Sequence, residues 1–306
     1  MTRYHPRMLL PALSLAAVPG RRRATIELAA EIERRGFAGI YGPSLGDNLA
    51  LCLAVALATE RIPFGTSITP IYTRHVVDFA HNVAFIHEAS GGRFRFGIGV
   101  SHGPMHRRLG LEVGKPLADV RGFVEELRAV ERVGALPPIT VAGLRDRMVA
   151  LACEVAEGVV FANAVRSHFP HSAGVIAEAG AKEGFFVGNM IPTVISDDLD
   201  AARTRHRRTL ASYVLLPNYR NYWREAGFVE EMDGIEAALE RGDYDGAARF
   251  MSDAWLEQVT LFGPAARVRE GVEAWREAGL GTPILVPSSA SGNQMDAFDE
   301  VFKAFA

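Results

Sequence analysis

The sequence predicts a (β/α)8 TIM barrel, and three observations lead there. Short β-rich apolar runs alternate with longer amphipathic stretches along the 306 residues, the pattern of repeated βα units on a parallel sheet. Eight such runs occur, each followed by helical sequence, as a closed barrel requires. An open doubly wound sheet usually has fewer strands and a Gly-rich phosphate loop after the first. Here strand one runs into Ala16-Ala17-Val18-Pro19-Gly20, which is no such loop. A barrel needs about 250 residues, so the length leaves room for an insertion. The expectation is a single barrel domain over 1–306, with a helical insertion at about 197–256 between strand seven and helix eight.

The elements follow in order. Strand one spans Met8 to Leu15. Helix one spans Arg21 to Arg35, with Ile26, Leu28, Ala29 and Ile32 on one face at helical spacing. Gly36 ends it, and Phe37 to Tyr41 makes strand two. Asn48 to Thr59 reads as helix two, Ile62 to Ile68 as strand three, Val76 to Ala89 as helix three and Arg93 to Val100 as strand four. Leu117 to Val133 is helix four, Pro138 to Val141 strand five, Asp146 to Ala156 helix five and Val159 to Asn163 strand six. A helix near Ala173 to Ala181, strand seven at Phe185 to Ile195, the long polar helical region, a last helix at Ala265 to Ala278 and strand eight at Pro283 to Pro287 complete the chain. In the long region, the run from Leu215 to Trp223 is dense in aromatics and polar donors. It is either an insertion packed on the barrel or on a second subunit, or a lid over the carboxyl end of the strands, where barrel active sites lie.

Composition narrows the partners. Lys plus Arg is 33 and Asp plus Glu is 36, a net charge of −3, which argues against nucleic acid or an anionic membrane as the main partner. A small anionic ligand remains open, because a local site needs few donors. Cys52 and Cys153 each lie in an apolar helical stretch and read as free thiols in a reducing compartment. The apolar run Met8 to Ala17 has Arg3 and Arg7 before it but Arg21-Arg22-Arg23 after it, the wrong order for a signal peptide. No apolar run reaches the ~20 residues that span a bilayer. The expectation is a cytoplasmic protein with no membrane partner.

Three motifs carry chemistry. Gly65-Thr66-Ser67-Ile68-Thr69-Pro70 ends strand three. Ser90-Gly91-Gly92-Arg93 leads into Gly97-Ile98-Gly99-Val100-Ser101-His102 on strand four, where glycines permit close approach to the backbone. This is no dinucleotide fingerprint, since the third glycine falls at 103, one residue late. Strand five reads Thr140-Val141-Ala142-Gly143-Leu144, and the N–H groups of Gly143, Leu144 and Arg145 could face a phosphate at a helix N-terminus, with Arg145 or Arg147 adding charge.

Together these strings, over most of residues 24–163, resemble the bacterial-luciferase-like superfamily of luciferase-like monooxygenases and coenzyme F420-dependent oxidoreductases. The resemblance implies a bulge at strand three that backs the flavin ring, with a cis Ser67–Ile68 peptide and Thr66 to Thr69 lining the pocket. It implies cofactor binding by Thr66, Ser67, Ile68, Thr69, Gly97, Gly99, Ser101, Ala142, Gly143, Leu144 and Asn163. It also implies a homo-oligomer, a small-molecule substrate, and F420 as cofactor with FMN as the alternative. The chain departs from the family where strand two commonly ends in an acid and a histidine; here Ser44 is the polar candidate. The position after strand four that carries a carboxylate in some deazaflavin enzymes is His102, a candidate proton relay.

His102 and His106 stand i, i+4, but Gly103 and Pro104 argue against a regular helix between them and no zincin glutamate is present, so no metal site is expected. His75, His81 and His87 read as structural helix residues. The function expected is hydride transfer from reduced F420 or FMN to a small organic substrate. The alternatives are an FMN-dependent monooxygenase using O2, or a non-catalytic flavin-binding barrel.

Overall fold

Successive residues of a strand point to opposite faces, so each strand of a closed barrel must fill two cores. The computed structural model, which describes residues 9–306, shows both. The strands are β1 (Ala12–Ser14), β2 (Ile40–Gly42), β3 (Phe64–Thr66), β4 (Thr69–Pro70), β5 (Phe94–Gly99), β6 (Ile139–Ala142), β7 (Gly158–Ala162), β8 (Phe186–Ile195), β9 (Leu261–Gly263) and β10 (Thr282–Pro287). All pairings are parallel, in the order β10-β1-β2-β3-β5-β6-β7-β8, and β10 also pairs with β8, which closes the barrel. β4 resumes strand three beyond a bulge and pairs with β5 through Thr69 and Ile98. It is a (β/α)8 TIM barrel.

The inner core gathers Ala12, Tyr41, Val160, Met190 and Ile284. The outer core lies between strands and helices, where β5 turns Phe94, Phe96 and Ile98 outward. There Phe96 meets Phe79 of α3 (Val76–Ala89) and Phe123 of α5 (Pro116–Ala129), with ring centroids 5.8 and 6.5 Å away. Each such ring removed from water contributes roughly 1.5–3 kcal/mol. The rest of the outer layer is α1 (Arg22–Arg35), α2 (Asn48–Ala58), α6 (Asp146–Val155), α7 (Phe169–Glu178), α13 (Ala265–Glu277) and α14 (Gln294–Ala304). Over the carboxyl end of the barrel lies the short α4 (Gly103–Leu109), and between β8 and β9 the chain forms α8 (Leu199–Val214), α9 (Pro217–Glu225), α10 (Val229–Glu240), α11 (Tyr244–Ala247) and α12 (Asp253–Val259).

The amino-terminal end of the barrel is bound together by charged side chains spent on backbone. Arg93 donates from Nε to Ser90 O at 2.8 Å, from Nη1 to Thr59 Oγ1 and Ile62 O at 2.9 and 3.0 Å, and from Nη2 to Ala56 O and Thr59 O at 2.9 Å each. The arginine of the Ser-Gly-Gly-Arg string is therefore a structural tie between α2, β3 and β5. Glu33 accepts from the N–H groups of Glu60, Arg61 and Ile62. Glu157 accepts from Ile139 N at 2.8 Å and from Arg128.

Several expectations need correction. Strand one, expected from Met8, begins at Ala12; Met8, Arg3 and Arg7 lie outside the described residues. Gly103 and Pro104 do not prevent a helix: α4 starts at Gly103 with Pro104 in its first turn, where a missing N–H costs nothing. The helix at Ala265–Glu277 is not the last, because α14 follows β10. It opens with a capping box, Asn293 bonded to the first-turn backbone and Asp296 back to Asn293 N, a sequence signal present but unread. β9 was also not expected; three residues are too few to show a strand period.

Candidate active site

A cavity of about 980 Å³ opens at the carboxyl end of the strands, as a barrel active site does. Its floor is built from strand ends. Ser67 and Ile68 enter it from the bulge after β3, and the Ser67–Ile68 peptide is cis, as the resemblance implied. Gly99 of β5 lies flush beneath Ile68: a Cβ there would stand 2.9 Å from Ile68 Cδ1 and 3.0 Å from Ala142 Cβ. Small side chains and an isoleucine thus make a flat face at this point. Ser101 and Asn163, at the exits of β5 and β7, line the cavity in left-handed backbone conformations, φ 61° and 55°. Non-glycine residues hold that region at a cost, and such residues gather at functional sites.

Of the residues expected to bind cofactor, Ser67, Ile68, Gly99, Ser101, Ala142, Gly143, Leu144 and Asn163 line the cavity, as do Ser44 and His102. Three expected there do not reach its wall. Thr66 is buried and bonds both ways with Gly97, from Oγ1 to Gly97 O at 2.7 Å and from Gly97 N to Oγ1 at 2.9 Å. Gly97 faces the Thr66 carbonyl so closely that any Cβ would collide with it, so this glycine serves strand packing, not ring approach. Thr69 is buried and donates to Asn48 Oδ1 at 2.9 Å. The phosphate reading of the β6 exit is narrowed as well, because Gly143 N already donates to Val160 O at 3.1 Å.

The roof comes from α4, α8 and α9. His102 caps the entrance to α4, half-buried, with its ring 5.8 Å from that of Tyr219 on α9. Burial, with His106 beside it, holds the His102 imidazole below its ordinary pKa, so it is neutral at pH 7. His106 is occupied otherwise: Nε2 lies 2.6 Å from Val100 O. Among the described residues no cluster of three or more metal-ligating side chains occurs. Tyr213 of α8 stands beside the Asn163 side chain, and burial raises its pKa. Two readings of the 215–223 run prove to be one: Leu215, Leu216, Pro217, Asn218 and Tyr219 face the cavity, while Tyr222 and Trp223 anchor them below. Val165 N donates to Tyr222 Oη, and Trp223 Nε1 donates to Asn163 O, each at 3.1 Å. Sequence reading missed the contribution of Gln294 and Phe298 from α14, and that of Arg107.

Among the described residues the ionisable side chains on the wall are His102, His106, Arg107, Arg145 and Arg147, with Tyr72, Tyr213 and Tyr219, and no carboxylate faces the cavity. Arg145 is shared with Glu225 of α9, Nε to Oε2 at 3.0 Å. Among the described residues Arg107 and Arg147 enter no ion pair. In a chain of net charge −3 this is a local basic site that fits a ligand with a flat aromatic body and an anionic end.

A parallel barrel with a broad cavity at its carboxyl end, floored by a strand-three bulge, defines a class of enzyme scaffold. Within it, the sequence model of the family described as luciferase-like monooxygenase matches residues 8–282, and the chain belongs to that family of enzymes. Among relatives, it is 25% identical to a putative coenzyme F420-dependent oxidoreductase of Mycobacterium tuberculosis, over 86% of this chain and 90% of that one. Among solved structures it resembles the coenzyme F420-dependent tetrahydromethanopterin reductase of Methanopyrus kandleri, with TM-score 0.74, 18% identity, and 96% and 98% of the two chains covered. It also resembles the oxygenating constituent of 3,6-diketocamphane monooxygenase of Pseudomonas putida in complex with FMN, with TM-score 0.62, 18% identity, and 96% and 95% covered. At that identity the two structures speak to the fold alone. No helix among the described residues is long and apolar enough to cross a membrane.

Proposed function

We propose that the chain is an oxidoreductase that binds coenzyme F420, with FMN as the alternative, and moves a hydride between that cofactor and a small organic substrate. The observation that carries this reading is the cavity itself: a flat floor at Ser67–Ile68, Gly99 and Ala142, and a wall whose charged groups, among the described residues, are all basic. The name of the Mycobacterium tuberculosis relative favours F420. When bound, the cofactor supplies the hydride chemistry, and the protein supplies orientation, exclusion of water and charge. The floor at Ser67–Ile68, Gly99 and Ala142 would receive the ring, and Arg147, with Arg145 if freed from Glu225, would hold an anionic end near the start of α6, beneath Pro217 to Tyr219 of α9. His102, neutral and reachable from the cavity, accepts or returns a proton at its imidazole nitrogen.

Two further parts of the reading are proposals of the same kind. Buried, unpaired Cys52 and Cys153 suit a cytoplasmic setting. Leu57 and Phe85, 74% and 61% exposed on α2 and α3, suit self-association.

The experiment is equilibrium binding of oxidised F420 and of FMN, followed by fluorescence, at low and high salt. Saturable binding of F420, weakened by salt and by Arg147→Gln, supports the reading. Binding of FMN alone moves it to the flavin alternative. A protein that binds neither has no such cofactor, and the proposal fails.

A further inference from the structure

The cavity floor is made by a bulge whose backbone is tied on either side of Ile68, by Ser67 N donating to Gly42 O at 2.7 Å and by Thr69 and Pro70 pairing with β5, which leaves the Ile68 carbonyl between them outside the ladder. What fixes Ile68 is therefore a question for the side chains behind it. One side chain answers. Asn48, in the first turn of α2 and 4% exposed, donates from Nδ2 to Ile68 O at 3.1 Å and to Pro43 O at 3.2 Å, and its Oδ1 accepts from Thr69 Oγ1 at 2.9 Å. Both donors and the acceptor of one amide are thereby used, on three segments: the exit of β2 next to Ser44, the bulge, and the start of β4. Asn48 does not line the cavity.

We infer that Asn48 is a positioning residue for the cofactor site: its amide holds Ile68 over Gly99 and ties the Pro43–Ser44 rim to the same floor. This rests on the proposed cofactor reading and adds a residue to it. The pattern of bonds makes the requirement specific. Aspartate has the size and can still accept from Thr69, but it has no donor for the two carbonyls and sets a charge against them. Alanine leaves both carbonyls and the Thr69 hydroxyl without a partner in a buried place. Either way Ile68 is released from above, and its Cδ1 and Cγ1 atoms, which fill the space over Gly99, no longer have a fixed height.

A merely structural asparagine would lower stability and nothing else, so the test needs a control of equal structural cost. Arg93→Ala breaks the ties at the opposite end of the barrel, far from the cavity. Asn48→Ala, Asn48→Asp, the milder Thr69→Val and Arg93→Ala are compared for melting temperature, for F420 and FMN binding, and for backbone hydrogen exchange over Gly65 to Ile71. The expected result is at least tenfold weaker cofactor binding and faster exchange at Ile68 to Ile71 in both Asn48 variants. Thr69→Val should show a smaller loss of the same kind, and Arg93→Ala a lower melting temperature with unchanged affinity. Equal affinity in folded Asn48→Ala or Thr69→Val overturns the inference. If the wild type binds neither cofactor the functional reading falls, and hydrogen exchange alone decides: unchanged exchange at Ile68 to Ile71 in the variants shows that Asn48 does not hold the floor.

Discussion

The two ends of this barrel treat their polar groups in opposite ways. At the amino end, Arg93 places five hydrogen bonds on four residues, and Glu33 and Glu157 close further N–H groups. At the carboxyl end, Ser101 and Asn163 sit at positive φ, Asn163 Nδ2 has no hydrogen-bond partner among the described residues although it is buried, and Arg107 and Arg147 stand without a counter-ion. At one end charged side chains are committed to backbone groups; at the other, basic side chains on the cavity wall are left for a ligand. Stability and binding capacity are thus separated along the barrel axis, as the general division of barrel ends suggests.

The sharpest way to break this comparison is at the amino end. Arg93→Ala should strand several buried carbonyls and cost about 3–5 kcal/mol, read as a shift of the urea midpoint. A loss below 1 kcal/mol would mean that the amino end is not where the barrel is secured. Next comes pH. His206 of α8 is buried against Phe262 of β9, and burial holds its pKa at about 4. The unfolded chain binds a proton near 6.5, so the folded state loses stability as pH falls from 6.5 toward 4, on the order of 3 kcal/mol in full. Above 6.5 the contribution is complete and flat. His206→Gln, which can still donate to Leu261 O, should flatten the melting profile between pH 6.5 and 4; an unchanged profile would clear His206 of any part in acid sensitivity. The smallest effect belongs to the open end. Ser101→Gly should raise stability by a few tenths to about 1 kcal/mol, because glycine holds φ 61° without the Cβ clash. It should also weaken cofactor binding, and a gain in both would show that the left-handed serine serves no site.

The sequence carried the periodic parts of this molecule and lost the aperiodic ones. Helices α3 and α6 were legible because their burial repeats along the element, and the long strand β8 because it is one long run buried on both faces. The two to three residues of β4 and β9 are too short to carry a period, and α4 hid behind a proline that is harmless in a first turn. In the site, Ser67, Ile68 and Gly99 were found through two local strings, whose other members Thr66, Thr69 and Gly97 do not reach the cavity. Alternation in a strand predicts such a split, but a bulge resets the phase, and the string alone does not say where. Asn48, Gln294 and Phe298 were invisible for another reason: they meet the floor or the cavity only after the chain has folded back from far away in sequence.

That last point bears on how the protein is made. Ser14 and Ala16 from the first strand unit and Gln294 and Phe298 from the last helix share the cavity wall, and Gln294 Nε2 donates to Ala16 O at 3.2 Å. The β1–β10 seam joins the same two parts. A folding chain in which residues 282–304 have not yet docked has neither the seam nor this wall, so closing the barrel and completing the pocket are one event. The last strand and helix thereby act as the closing piece of the cavity as well as of the barrel.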